Sequence, residues 1–481
     1  MTVSAIRRRE LPASPWAALA LIVVAQFMVI LDVAIVNVAL PSIETDLGFT
    51  QSGLEWVVTA YAIVFGGFLL LGGRLGDVLG RRRVFAAGIA LFGLSSVLCG
   101  LSWSAGSLVA FRGLQGLGGA LLAPAGLSLL MTTFAEGRDR NIALGIWGAA
   151  SGSGAAVGVL VGGVLTSYLS WPWIFFVNAP VAAVLLLAVP RVLRESVGPN
   201  GLRHFDLAGA ASATGSVMLL VYALTLTTRL GWADPLTLAV LAAAVALGIG
   251  FVLNERRAAA PLLPLGMFRI RTFAVGNAVT TIVASIAFSE FFLLTLYLQD
   301  VLHYSAVETG LAFSAIALTI AVVSNIAQSL VTRFGPRGVL TVGLLLVTVS
   351  LVLIARLPVP GVYTVDLLGP FVLNGIGFAL CFIPLTIAGL AGVPPTQAGA
   401  ASGLLNTSRQ VGGAVGLAVV NTIAAGSVAE DGAGLAHGYR VSLLVLGCLA
   451  LLGAVLSSTL LAPSSEAKAV RPADEPVREA A

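Results

Sequence analysis

Two carboxylates lie where carboxylates are costly. Asp32 and Glu290 each sit inside a long apolar run, and an ionisable group at the centre of a bilayer costs about 2.5–3.5 kcal/mol on insertion scales. In a low-dielectric interior a carboxyl becomes able to hold a proton near neutral pH. One that takes up a proton on one side and loses it on the other couples a gradient to movement. The bland reading is a structural hydrogen-bond partner nearer the membrane interface. Arg112, in the run Arg112-Gly-Leu-Gln115-Gly-Leu-Gly-Gly-Ala120, cannot shed its charge, so it needs a carboxylate, carbonyls or water beside it. Next to an acid it would favour proton release. Arg409 follows the same logic nearer one face, where its head can snorkel. Asn37, Gln115 and Asn406 are further polar side chains within apolar runs.

Other groups suit movement rather than proton chemistry. Gly73-Arg-Leu-Gly-Asp77-Val-Leu-Gly80-Arg81-Arg82-Arg83 combines glycines for a tight turn, an aspartate able to cap a helix N-terminus, and a basic cluster. Such a charged clasp can hold two halves of a molecule in one state and release them in another. Gly154, Gly158, Gly162 and Gly163 form a ridge of small residues that lets helices approach closely. Packing is its plain role, and a moving contact between halves its functional one.

These residues need long helices to hold them. The chain has 481 residues, 58% hydrophobic and 10% charged, with mean hydropathy +1.00. Soluble domains carry about 25% charged residues, so most of this chain belongs in lipid, where long apolar runs must be helices. Windows of about 20 apolar residues give fourteen spans, centred near residues 28, 63, 94, 119, 154, 182, 217, 245, 285, 318, 347, 377, 412 and 451. Alternating the connecting loops puts 21 of the 26 basic residues on one side and three (Arg229, Arg356 and Arg440) on the other. That bias places both termini in the cytoplasm. The first run, from about residue 16 to 41, is long enough to span as an uncleaved helix rather than a signal peptide.

The chain also repeats. At an offset of 258, Gly145, Gly154 and Gly158 fall on Gly403, Gly412 and Gly416, and Asp32 falls on Glu290. At 255, Leu75, Gly80, Arg82, Val84 and Gly88 fall on Leu330, Gly335, Arg337, Val339 and Gly343. The expected architecture is therefore all-α and polytopic. It comprises a cytoplasmic tail (1–14), a six-helix bundle (15–191), two inserted helices (205–256), a second six-helix bundle (270–462) and a disordered tail (463–481). Duplicated halves around a midplane site are the build of secondary transporters, and a pseudo-twofold axis would turn Asp32 and Glu290 toward one central cavity.

Several classes are excluded. Lys468, in the tail, is the only lysine, so no phosphate-binding loop exists to power transport with ATP. Cys99, Cys381 and Cys448 are scattered through apolar runs, indicating neither disulfides nor a metal site. No cofactor and no nucleic-acid partner is expected. No His-Glu-x-x-His or Gly-x-Ser-x-Gly motif suggests an enzyme, and His204, His303 and His437 all read as loop residues.

The motifs resemble those of the major facilitator superfamily, and within it the fourteen-span drug:proton antiporters of bacteria, over residues 15–462. Leu31-Asp32-Val-Ala-Ile-Val-Asn37-Val-Ala-Leu-Pro41 looks like that family's first-helix motif, and Gly73–Arg83 like the superfamily's loop motif. Arg112–Ala120 resembles the fourth-helix motif whose arginine is tied to proton coupling. Trp173-Ile-Phe-Phe-Val-Asn178-Ala-Pro180, Tyr297-Leu-Gln-Asp300 and Asn406-Thr-Ser-Arg409-Gln410 are further matches. Two positions depart: Val159 follows Gly158 where the antiporter motif has proline, and Pro172 stands between Trp171 and Trp173 where the family has a basic residue. The resemblance implies a monomer in the bacterial cytoplasmic membrane that exports amphipathic drugs or antibiotics in exchange for protons, by alternating access. A same-fold transporter dedicated to one metabolite, siderophore or self-made antibiotic, and a non-transporting sensor or scaffold, are the alternatives.

Overall fold

Short polar signals start several of the helices. Thr50 accepts from the Gly53 amide at 3.1 Å and Asp206 from the Gly209 amide at 2.8 Å. Ser104 and Ser305 form capping boxes with Ser107 and Glu308. Each cap satisfies an amide that the first turn leaves without an intrahelical partner. The computed structural model describes residues 14–135, 137–195, 206–258, 261–356, 362–426 and 432–461. The terminal tails, Lys468 and His204 lie outside the described residues.

The helices run as α1 (Pro15–Leu47), α2 (Gln51–Leu79), α3 (Arg81–Gly100), α4 (Ala105–Thr133), α5 (Arg138–Tyr168), α6 (Trp173–Val192), α7 (Leu207–Leu230), α8 (Pro235–Glu255) and α9 (Arg271–Leu296). A continuous run, Ala306–Ala355, breaks at Gly335 (φ 79°) into α10 (306–334) and α11 (336–355). Then come α12 (Leu368–Gly389), α13 (Ala398–Gly426) and α14 (Gly432–Leu460). Fourteen spans thus occur among the described residues. Eleven helical runs, one of them the α10–α11 run, are long and apolar enough to cross a membrane. The other two, α5 and α13, are rich in glycine and serine, which lowers their mean hydropathy. His437 is helical, in the first turns of α14, rather than in a loop. His303 is in a loop, with φ 56°.

The duplication is visible in three dimensions. Gly80 and Gly335, 255 residues apart, both adopt positive φ, at 105° and 79°, and turn α2 into α3 and α10 into α11. A side chain at Gly88 would strike the α4 backbone at Gly118 and Leu122, and one at Gly343 would strike α12 at Gly377. Gly154, Gly158 and Gly162 seat α5 against Ile30, Leu31 and Ile35 of α1, as Gly412 and Gly416 seat α13 against Thr281 and Ser285 of α9. The ridge therefore packs within one half. Gly163 is not part of it, since nothing lies within 4 Å of a Cβ placed there.

One core cluster fills the N-terminal bundle and another the C-terminal bundle. Ala400, Ala401 and Leu405 of α13 belong to the N-terminal cluster, so the base of α13 is anchored in the opposite half. The inserted pair stands to one side: α7 leans on α2 and α13, and α8 packs on α7.

The two halves touch closely where α2 crosses α13. A Cβ at Gly73 would lie 2.2 Å from the Gly399 carbonyl oxygen. Overpacking a backbone crossing costs about 1–3 kcal/mol. Gly73→Val should therefore pry the seam open. The expected readout is lower disulfide yield between cysteines introduced at Asn141 and Thr332, whose side chains meet across the seam at 3.3 Å.

Candidate functional site

The register of α1 decides where Asp32 points. Ile22, Ala25, Val29, Asp32, Val36, Ala39 and Ile43 recur at three- and four-residue steps and are all buried, so Asp32 shares the face turned into the N-terminal bundle. Its carboxylate is fully enclosed. Oδ2 accepts from Arg112 Nη1 at 2.7 Å. Oδ1 accepts from Gln115 Nε2 at 2.7 Å and Asn178 Nδ2 at 2.8 Å. The Gln115 and Asn178 amides also reach Ser96 Oγ, at 2.6 and 3.2 Å.

Arg112 is equally enclosed. Its Nε donates to the Val57 carbonyl at 3.0 Å, and its guanidinium lies 4.5 Å from the Tyr61 ring centroid and 5.7 Å from that of Phe175. The charges of Asp32 and Arg112 balance, and both carboxylate oxygens are hydrogen-bonded, the arrangement that makes a buried ion pair tolerable, while the Tyr61 hydroxyl nearby has no hydrogen-bond partner among the described residues. Five helices, α1, α2, α3, α4 and α6, meet at this one pair.

Glu290 occupies the matching place in α9, on the buried face with Gly276, Val279, Val283, Ile286 and Leu293. Asn374 Nδ2 donates to its Oε1 at 2.7 Å. Asn374 lies 259 residues after Gln115, as Gly377 lies 259 after Gly118, so the acid–amide pair is duplicated. The counter-charge is not: Phe371 stands 259 residues after Arg112, and Glu290 Oε2 has no hydrogen-bond partner among the described residues. The two carboxyls thus face two separate bundle interiors rather than one shared cavity, because each shares its helix face with core residues of its own half.

The expected clasp takes a more specific form. No loop separates α2 from α3; Gly80 alone makes the turn. Asp77 caps α13 of the opposite half, accepting from the Gly399 and Ala400 amides at 3.0 Å each. Arg81 is buried rather than solvated, bound to Asp77 at 2.7 Å and to the Pro395 carbonyl. A carboxylate at a helix N-terminus gains from both free amides and the helix dipole. Arg82 instead braces its own half, donating to the Leu193 carbonyl at 3.3 Å, with Glu195 beside it. The counterpart of Asp77, 255 residues on, is Thr332, and the counterpart of Gly399, 258 residues back, is Asn141. These two also meet, so the clasp occurs twice, once charged and once neutral.

Of the remaining candidates, Asn37 is exposed and bonded to the Val33 carbonyl, away from the Asp32 network, and Asn406 bonds the Ser402 carbonyl within its helix. Arg409 does not snorkel: it donates to Thr386 Oγ1 at 3.0 Å and stacks on Trp147 of α5, 5.3 Å from the ring centroid. Reading from sequence misses Ser96, Tyr61, Trp147 and Asn374. For Asn374 a signal exists, since an amide within an apolar span needs a partner; Ser96 carries none, because serine bonds its own helix readily.

The Major Facilitator Superfamily sequence profile matches residues 22–417. The chain is 41% identical to the puromycin resistance protein of Streptomyces alboniger, over 94% of this chain and 92% of that one. It is 39% identical to the cephamycin export protein of Amycolatopsis lactamdurans, over 92% of each. It is 36% identical to the tetracenomycin C resistance and export protein of Streptomyces glaucescens, over 86% and 77%. Among solved structures it is similar in fold to the human organic anion transporter MFSD10, with TM-score 0.67 and 17% identity over 92% of this chain and 99% of that one. The proton:xylose symporter XylE superposes with TM-score 0.65 and 14% identity, over 95% and 98%.

Proposed function

Because this chain belongs to the major facilitator superfamily, we propose that it exports small amphipathic compounds of the antibiotic kind in exchange for protons. The observation that carries the reading is the enclosed Asp32–Arg112 pair and its connection to the seam. α2 supplies the Val57 carbonyl and the Tyr61 ring to Arg112, and twenty residues further on the same helix carries Asp77 to α13. At 1.5 Å per residue these points are about 30 Å apart, the thickness of the hydrocarbon core.

Protonation of Asp32 removes half of a balanced pair. Arg112 then relies on the Val57 carbonyl, Gln115 Oε1 and the aromatic faces, and the five helices around it settle differently. A stiff α2 transmits that change to its far end, where Asp77 holds α13. Substrate binding in the seam and proton binding at Asp32 thereby compete for the same conformational change, which is the requirement for exchange. The membrane potential contributes about 2.3 kcal/mol per charge per 100 mV. The arginine bias supports assigning the clasped face to the cytoplasm.

The names of the three antibiotic-linked relatives each cite one compound, which favours a dedicated exporter as the second reading. Reconstituted protein should dissipate an imposed proton gradient only when substrate is present, read by pyranine trapped in the vesicles. A panel of cationic, neutral and anionic amphipaths separates broad from narrow selectivity. Substrate flux that persists unchanged after a protonophore collapses the gradient would defeat the exchange reading.

A further inference from the structure

Arg409 breaks the rule that the other deeply placed arginines obey. Arg112 is paired with Asp32 and Arg81 with Asp77. Among the described residues Arg409 meets the Thr386 hydroxyl and the face of Trp147, but no carboxylate. It lies ten residues beyond Gly399, about 15 Å along α13 from the clasp, and so on the deep side of the closed crossing. Its two contacts come from different halves: Thr386 from α12 and Trp147 from α5. Thr386 has already given its own proton to the Phe382 carbonyl, at 2.9 Å, so toward Arg409 it is an acceptor only.

Trp147 adds a second unmet donor. Its side chain is 2% exposed, and among the described residues its indole Nε1 has no hydrogen-bond partner, a state that buried polar groups avoid. A guanidinium without a counter-charge and an indole N–H without an acceptor, among the described residues, thus meet where the halves join. Stacking repays only part of the desolvation of the cation. Nor is the charge a by-product of the duplication: the position 258 residues before Arg409 is Ser151, which bonds the Trp147 carbonyl within α5.

We propose that Arg409, stacked on Trp147 and steadied by Thr386, is the subsite at which this transporter holds the acidic group of an amphipathic anion. The proposal rests on the export reading above and narrows it to molecules that pair an apolar body with a carboxylate or similar group. Such a group supplies the acceptors and the counter-charge that the subsite lacks, through charge-assisted hydrogen bonds, while the apolar body lies along the seam. An anion seated here contacts both halves, so its arrival and departure act on their closure.

The test compares two probes alike except for charge, 1-pyrenebutyrate and 1-pyrenebutanamide, by equilibrium binding to the purified full-length protein in neutral detergent. The wild type should bind the acid about tenfold more tightly than the amide. Arg409→Gln should bring that ratio to about one, and Arg409→Lys, which keeps the charge but loses the planar fork, should retain part of it. Equal affinities in the wild type, or Arg409→Gln weakening both probes by the same factor, would overturn the proposal and leave Arg409 as a packing contact. Should Arg409→Gln not yield monodisperse protein, Trp147→Phe carries the test: the ratio should fall, and an unchanged ratio counts against the subsite. Displacement of pyrenebutyrate by phosphatidylglycerol in nanodiscs would assign the seat to a lipid phosphate and also overturn it. The measurement involves no gradient. Acid preference without proton movement would therefore sink the exchange mechanism alone, and proton movement without acid preference this proposal alone.

Discussion

Asp32→Asn should abolish substrate-driven proton release in proteoliposomes. Asparagine keeps the size of the side chain and one acceptor oxygen, yet it cannot exchange a proton. It also strands Arg112, which is 1% exposed and has Asp32 as its charged partner. Removing one partner of a buried pair costs about 3–5 kcal/mol, most of it the burden of the charge left behind. The single variant should therefore lose thermal stability as well as coupling. The double variant Asp32→Asn, Arg112→Met separates the two effects, because it removes both charges while filling the space. Stability should largely return and coupling should not. Proton release at the wild-type level in either variant would reduce Asp32 to a structural role.

Asp77→Asn should shift the balance between closed and open seam by about 10- to 150-fold. The carboxylate serves two amides of α13, at Gly399 and Ala400, and each hydrogen bond to a charged group is worth about 1.5–3 kcal/mol. Asparagine has one oxygen for two donors and sets its own N–H groups against the other. The loss of one bond gives the lower figure and the loss of charge from the helix end adds to it. Spin labels at Arg138 and Arg333, both exposed and near in sequence to the Asn141–Thr332 contact across the seam, should show a longer-distance population in the variant. A distribution identical to the wild type would show that the Gly73–Gly399 crossing holds the seam without help from Asp77.

How much of this was legible in the sequence depended on whether a neighbour was local or distant. The fourteen spans and the duplication could be read because apolar length and glycine spacing are local properties, and Gly80 and Gly335 kept their offset as matching backbone turns. Asp32 and Arg112 stood out because each is costly alone. Their assembly with Ser96 was hidden, since serine is inexpensive in a helix, and the Asn178 amide signals a need for a partner without saying which until α6 folds against α1. The shared cavity expected from the repeat failed for a related reason. An offset pairs positions but gives no direction, and direction came from the helical register that groups Asp32 with Ile22 and Ile43. The cap by Asp77 was foreseen as a cap, but its target was 322 residues away.

The unequal latches have a mechanical outcome. Both latches, a charged bolt and a hydroxyl–amide hook, fasten the same end of the molecule, so under the proposed exchange the empty carrier would rest shut at that end. Unlatching there would then draw on the arriving passenger's own affinity, so that empty cycling, and the wasted current it would bring under that exchange, would be held down chiefly by the stronger of the two, Asp77.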